Sequence, residues 1–222
     1  MLADVTSLIS TILWPAVVLV ALVLFRRPIS KLLGSDNVTV KGPGGFELSA
    51  SSREQAATAL TKASEKPTAT TLGRAEALSQ VDVAARTMQE IGQRARALWV
   101  DDQPANNVYE AEALEAVGID VELSTSTADA LARVQRNPPY DVIISDMVRA
   151  DDEQAGYDLL DALRSAGDLT PVVIYAGSRS AEHFNEAVRR GAEGSTNQPQ
   201  ELVGLVLRAV RRRRDAAANN RS

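Results

Sequence analysis

Asp101 and Asp102 directly follow the apolar run Ala97-Leu98-Trp99-Val100, and Asp146 closely follows a second such run, Val142-Ile143-Ile144. An aspartate after a strand is ordinarily a helix cap or a turn residue. Carboxylates at the ends of neighbouring strands are a different matter, because like charges packed together repel and an oxygen-loving divalent cation relieves them. The pattern therefore points to an acidic pocket able to hold a metal. Other chemistries lack their residues. The chain has no cysteine, which removes thiolate catalysis, disulfides and Cys-ligated metals, and its single histidine is His183. With no nucleophile elbow, no phosphate-cradling glycine loop and no histidine beside the carboxylates, an enzyme is not expected.

The elements that must position these aspartates alternate along the second half of the chain. Strands are expected at Ala97–Val100, Val121–Leu123, Val142–Ile144, Val172–Tyr175 and Gly194–Thr196. Helices are expected near Asn106 to Val117, Thr127 to Arg136, Tyr157 to Ser165 and Ala181 to Arg190, with Glu201 to Arg214 closing the domain. Such alternation reads as a doubly wound parallel α/β sheet, in which ligands sit beyond the carboxyl ends of the strands. The aspartates fall at that edge. They converge if the first and third strands are neighbours.

The first half is organised differently. From Val5 to Phe25 no residue is charged, a run just long enough to cross a bilayer as a helix, with Pro15 inside it. Met1-Leu2-Ala3-Asp4 offers no positive region of the kind that precedes a signal peptide, so residues 1–34 are read as a membrane anchor and its flank. Arg26, Arg27 and Lys31 follow the span, which places the remainder on the cytoplasmic side. Period-two alternation around Gly42-Pro43-Gly44-Gly45 suggests a small hairpin over 35–50. Residues 51–95 read as a helical linker. Ser52 and Gln55 resemble a capping box, and Lys66–Thr71 interrupts the helix. In the second helix Ala77, Val81, Ala84, Met88, Ile91 and Ala95 recur at helical spacing, either the seam of a short dimeric coiled coil or a face packed on the chain's own domain. With a net charge of −5 in 222 residues, nucleic acid is not an expected partner.

The runs Leu98 to Asn107, Asp141 to Met147, Gly156 to Leu160, Pro171 to Ile174 and Gly191 to Gly194 resemble, in order and spacing, the landmarks of response-regulator receiver domains of the CheY-like superfamily. The resemblance covers roughly 96–214. It implies a flavodoxin-like five-stranded sheet in the order 2-1-3-4-5. It also implies Asp146 as phosphoacceptor, and Mg2+ held by Asp102 and Asp146, by Asp101 through water and by the Val148 backbone carbonyl. The partner implied is a histidine kinase or phosphotransfer protein of a two-component phosphorelay. The location implied, with the anchor, is a bacterial cytoplasmic membrane.

Departures from the family's pattern are specific. Ala176 stands where a Thr or Ser follows the fourth strand, Gln198 before Pro199 where a Lys is usual, and Ser195 where an aromatic switch residue sits. The loop from Asp146 to Gly156 is longer than usual and carries Arg149, Asp151, Asp152 and Glu153. Arg149 or Arg179 is a candidate substitute for the missing ammonium, the plain alternative being a solvated loop charge. The run Arg211–Arg214 suits either anionic lipid or a helix C-terminus, and His183 reads as a surface residue. Two functions follow from these observations. One is a membrane-tethered, receiver-like module acting by protein contact with atypical or absent phosphorylation; the other is a genuine phosphoacceptor at Asp146. Residues 215–222 read as a disordered tail.

Overall fold

A computed structural model of the chain describes residues 48–136, 139–150, 152–177 and 181–219, with backbone only for 181–183. The expected membrane anchor and nearly all of the expected hairpin lie outside the described residues. Among the described residues no helix is long and apolar enough to cross a membrane.

Five parallel strands form one sheet in the order β2-β1-β3-β4-β5. They are β1 (Ala95–Val100), β2 (Ile119–Ser124), β3 (Val142–Asp146), β4 (Val172–Tyr175) and β5 (Gly194–Thr196). β1 pairs with β3 in register Ala97↔Val142 to Val100↔Ser145, so the ends bearing Asp101 and Asp146 lie side by side. The central strands are covered on both faces, which is why they read as continuous apolar runs. Their side chains still alternate. Ala97, Trp99, Val142, Ile144, Val173 and Tyr175 enter one core. Leu98, Val100, Ile143, Val172 and Ile174 enter the other.

The helices are α1 (Ala50–Ala63), α2 (Arg74–Ile91), α3 (Val108–Ala116, after a 3-10 turn at Pro104–Asn107), α4 (Thr127–Arg136), α5 (Ala155–Ser165), α6 (Ala181–Arg189) and α7 (Pro199–Asn219). The core holding Leu98 also takes Ala130 of α4, Leu159, Leu160 and Leu163 of α5, and Ala187 of α6. On the opposite side α3 and α7 cover the sheet, and α1 and α2 form a further layer on them. Segment 51–95 is thus no free linker. Ala77, Val81, Ala84 and Met88 are at most 3% exposed within this chain's own core, so the helical seam is an intramolecular packing face and not a dimer seam. Small side chains on α1 and α2 let the helices approach closely, and about 25 cal/mol per Å2 of apolar surface buried favours that docking.

Helix ends are set by local chemistry. The cap of α1 is Ser49, whose Oγ accepts the Ser52 N–H at 3.1 Å, in place of the expected Ser52–Gln55 box. Gly92, at φ 76°, ends α2 in the left-handed conformation that glycine adopts without a Cβ clash. α7 continues past Arg214 to Asn219, because Asp215-Ala216-Ala217-Ala218 offers nothing to stop a helix, so residues 215–219 are helical where a disordered tail was expected. The arginine run therefore lies inside the helix. Arg211, Arg212 and Arg214 pair with Glu90, Glu193 and Asp141 at 3.2, 2.5 and 2.7 Å.

Candidate functional site

At the carboxyl edge of β1 and β3, one oxygen from each of Asp101, Asp102 and Asp146 lies within 4.8 Å of the others. The three predicted aspartates are brought together as their strand positions required. Each is oriented by neighbours. Asp101 is 4% exposed. Its Oδ1 accepts the Gln103 N–H at 2.6 Å, and its Oδ2 accepts from Asn107 Nδ2. Asp102 Oδ2 accepts the Ala150 N–H at 2.8 Å. Asp146 Oδ1 accepts the Met147 N–H at 2.7 Å.

Burial and then the Asp101 charge push the Asp146 carboxyl up from 3.8 to about 6, against the backbone N–H groups of Met147 and Val148 and the Arg149 charge. An oxygen-only cluster carrying this strain fits a hard divalent cation such as Mg2+, which takes carboxylate and carbonyl oxygens and would remove the repulsion. Val148 is 49% exposed, and its backbone N–H supports the Asp146 carboxylate.

The loop after β3 corrects one expectation. Arg149 is 5% exposed and not a solvated loop charge. Its guanidinium donates to Ser145 Oγ at 2.6 Å, to the Asp146 carbonyl at 2.7 Å, to Thr127 Oγ1 at 2.8 Å and to the Ala155 carbonyl at 2.6 Å. It ties β3 to the starts of α4 and α5; burial pulls the guanidinium pKa down, and its charge favours the ionised form of Asp146. The loop contains a tight turn. Arg149 and Asp152 exchange both backbone hydrogen bonds, at 3.1 and 3.0 Å. Between them Ala150 is held at φ 49°, which presents its N–H to Asp102. Gly156 closes the loop, and a Cβ there would meet the Asp146 carbonyl at 2.9 Å.

Residues 176, 195 and 198, singled out in the sequence, also find their places. Ala176, 7% exposed, follows β4 without a hydroxyl and lines a cleft with Met147, Val148, Tyr157 and Arg190. Ser195 lies on β5 opposite Ile174. Gln198 is 2% exposed and is bound to residues 68 and 70 of the connection between α1 and α2. Asp151 and Arg179 lie outside the described residues, as does the side chain of His183.

A second polar group beside the pocket was not legible in the sequence. Lys66 donates to Asn107 Oδ1 at 2.8 Å and to Glu110, which also accepts from the Tyr175 hydroxyl at 2.8 Å. Burial and the Glu110 charge push the Tyr175 hydroxyl up. Its ring meets Trp99 edge to face at 5.8 Å. Asn107 stands within a motif run already singled out, yet no local pattern marks Lys66, which reaches the site only through the docking of α1 and α2.

A parallel sheet in this order with an acidic cluster at the ends of β1 and β3 defines a receiver-type signalling domain. The sequence model of the response regulator receiver domain matches residues 97–208, just over half of the chain, and the chain belongs to that family. It is 29% identical over 122 residues to the acid tolerance regulatory protein ActR of Rhizobium meliloti (strain 1021), covering 55% of this chain and 61% of the relative. The same figures hold for ActR of Sinorhizobium medicae (strain WSM419). The chain thus spans less than two thirds of the length of these relatives. NtrX from Brucella abortus, solved in complex with ATP, shares the fold with a TM-score of 0.51 at 22% identity, over 58% of this chain and 29% of that one.

Proposed function

We propose that the chain accepts a phosphoryl group on Asp146 from a phosphohistidine-bearing partner, and signals by changing its protein contacts. The observation that carries this reading is the convergence of Asp101, Asp102 and Asp146 within 4.8 Å, with Asp146 at the end of β3 and the next residues, Met147 and Val148, lining a cleft. Mg2+ would be held by the three carboxylates and the Val148 carbonyl, and when bound it would neutralise charge on the transferring group. The residues supply the rest. An Asp146 oxygen forms the new bond to phosphorus as the bond from phosphorus to the imidazole nitrogen breaks, and the leaving imidazole takes a proton from solvent. Asp101 and Asp102, held by Asn107, Gln103 and Ala150, keep the pocket's oxygens in place.

Ala176 and Gln198 favour an atypical version, since neither a hydroxyl nor an ammonium at these positions meets the phosphoryl oxygens. The uncharged run Val5–Phe25 supports a membrane tether, with the receiver on the cytoplasmic side. Incubation of the full-length chain with Mg2+ and phosphoramidate tests the central step. A phosphoryl adduct on the Asp146 peptide that D146N abolishes supports it. Absence of the adduct under conditions where Mg2+ binds supports instead a phosphorylation-independent interaction module.

A further inference from the structure

The connection between α1 and α2 is fastened to the same edge of the sheet as the acidic pocket. The Thr70 N–H donates to Gln198 Oε1 at 2.6 Å, and the Thr68 carbonyl accepts from Asn197 Nδ2 at 3.0 Å and Gln198 Nε2 at 3.2 Å. These clamps hold Lys66 where its ammonium meets Asn107 Oδ1 at 2.8 Å and the Glu110 carboxylate. Glu110 is 1% exposed, and its Oε2 has no hydrogen-bond partner among the described residues. Lys66 is thus the cation that accompanies a buried carboxylate, and it also touches the amide that touches Asp101.

The chemistry of an asparagine amide makes this arrangement directional. One end accepts and the other donates. A cation on Asn107 Oδ1 fixes the flip of the amide, so that Nδ2 faces Asp101 Oδ2; the opposite flip would set two oxygens against each other. Asp101 is then held at one oxygen by Asn107 and at the other by the Gln103 N–H, with its remaining lone pairs left for the cluster. Glu110 offsets the charge of Lys66, so the ammonium orients Asn107 without adding net positive charge beside a cation.

We propose that Lys66 is a positioning residue for the acidic pocket: through Asn107 it sets the orientation of Asp101, and so couples the docking of the α1–α2 pair to metal binding. The lysine lies outside the segment matched to the receiver family, residues 97–208, and is supplied by this chain's own N-terminal layer. The inference rests on the metal-binding reading of the pocket given above. Because linkage is reciprocal, an occupied pocket also holds the connection more firmly.

Titration of the full-length chain with Mg2+ alone, followed by calorimetry, tests this. Groups that orient a ligand typically change metal affinity by about 10–100-fold when removed. N107A is expected to weaken Mg2+ binding by about tenfold. The pair K66M/E110Q, which removes the lysine without orphaning Glu110, is expected to weaken it by about three- to tenfold, and K66R to restore it within about twofold. The decisive comparison is K66M/E110Q/N107A, expected to bind no more weakly than N107A, because both changes act through one amide. Unchanged affinity in K66M/E110Q, or effects that multiply in the combined variant, would overturn the proposal while leaving the pocket intact. Failure of the wild-type chain to bind Mg2+ would remove the metal-binding reading itself.

Discussion

Replacement of Asp146 by Asn should stabilise the metal-free protein at neutral pH, although it removes the proposed phosphoacceptor. Asp146 holds its proton up to about pH 6 in the folded chain, against an ordinary value of 3.8, so between those values the folded state binds more protons than the unfolded state. Stability therefore falls as pH rises through that window, and the full cost is present above it. At about 1.36 kcal/mol per pH unit the cost reaches about 3 kcal/mol, and partial solvent access to Asp146 reduces it to about 1–2 kcal/mol. Asn has the same shape, and its Oδ1 still accepts the Met147 N–H. Urea unfolding of both proteins in chelator should show D146N more stable by about 1–2 kcal/mol at pH 8 and no more stable at about pH 3.5. At Mg2+ about a hundred times its Kd, the wild type should gain about 2.7 kcal/mol, and the ranking should reverse. Equal stabilities at pH 8 without metal would refute the claim that burial and the Asp101 charge penalise the ionised Asp146.

Arg149→Ala should lower unfolding free energy by about 3 kcal/mol or more, because Ser145, Thr127 and the carbonyls of Asp146 and Ala155 lose a buried charged donor; a thermal melt within error of wild type would return Arg149 to the status of a loop charge. Gly156→Ala should cost about 1–3 kcal/mol and weaken Mg2+ binding, since the new Cβ presses on the Asp146 carbonyl and the Met147 Cα at 2.9 and 3.1 Å, which denaturation and metal titration would both register. Gln198→Ala should release the connection between α1 and α2, raising amide exchange at Thr70 by about tenfold for a loss of about 1.4 kcal/mol, while exchange in β1 stays unchanged.

The sheet and its aspartates were legible because both depend on short-range pattern. Runs such as Val142-Ile143-Ile144 and Val172-Val173-Ile174 are apolar on both faces, as a covered parallel strand must be, and Asp101, Asp102 and Asp146 stand where such strands end. Strand order then followed from the resemblance, and the pairing of β1 with β3 completed the site. What was not legible depends on contacts between distant elements. The spacing of Ala77, Val81, Ala84 and Met88 fixes an apolar face, but not whether a second copy or α1 and α7 of the same chain will cover it. Arg149 stands among Asp151, Asp152 and Glu153 and reads as part of a solvated loop, yet its acceptors come from β3, α4 and α5 and draw it inside. Lys66 sits in a stretch whose composition says linker, and only the docked helix pair brings it to Asn107.

The direct test of the shared-cation claim is a crystal of the chain soaked in Mn2+ and measured for anomalous scattering. A single peak bounded by carboxylate oxygens of Asp101, Asp102 and Asp146, lost in crystals of D101N/D146N, is the predicted result. A peak at another site, or none between these side chains in crystals that retain the β1–β3 pairing, would contradict the account.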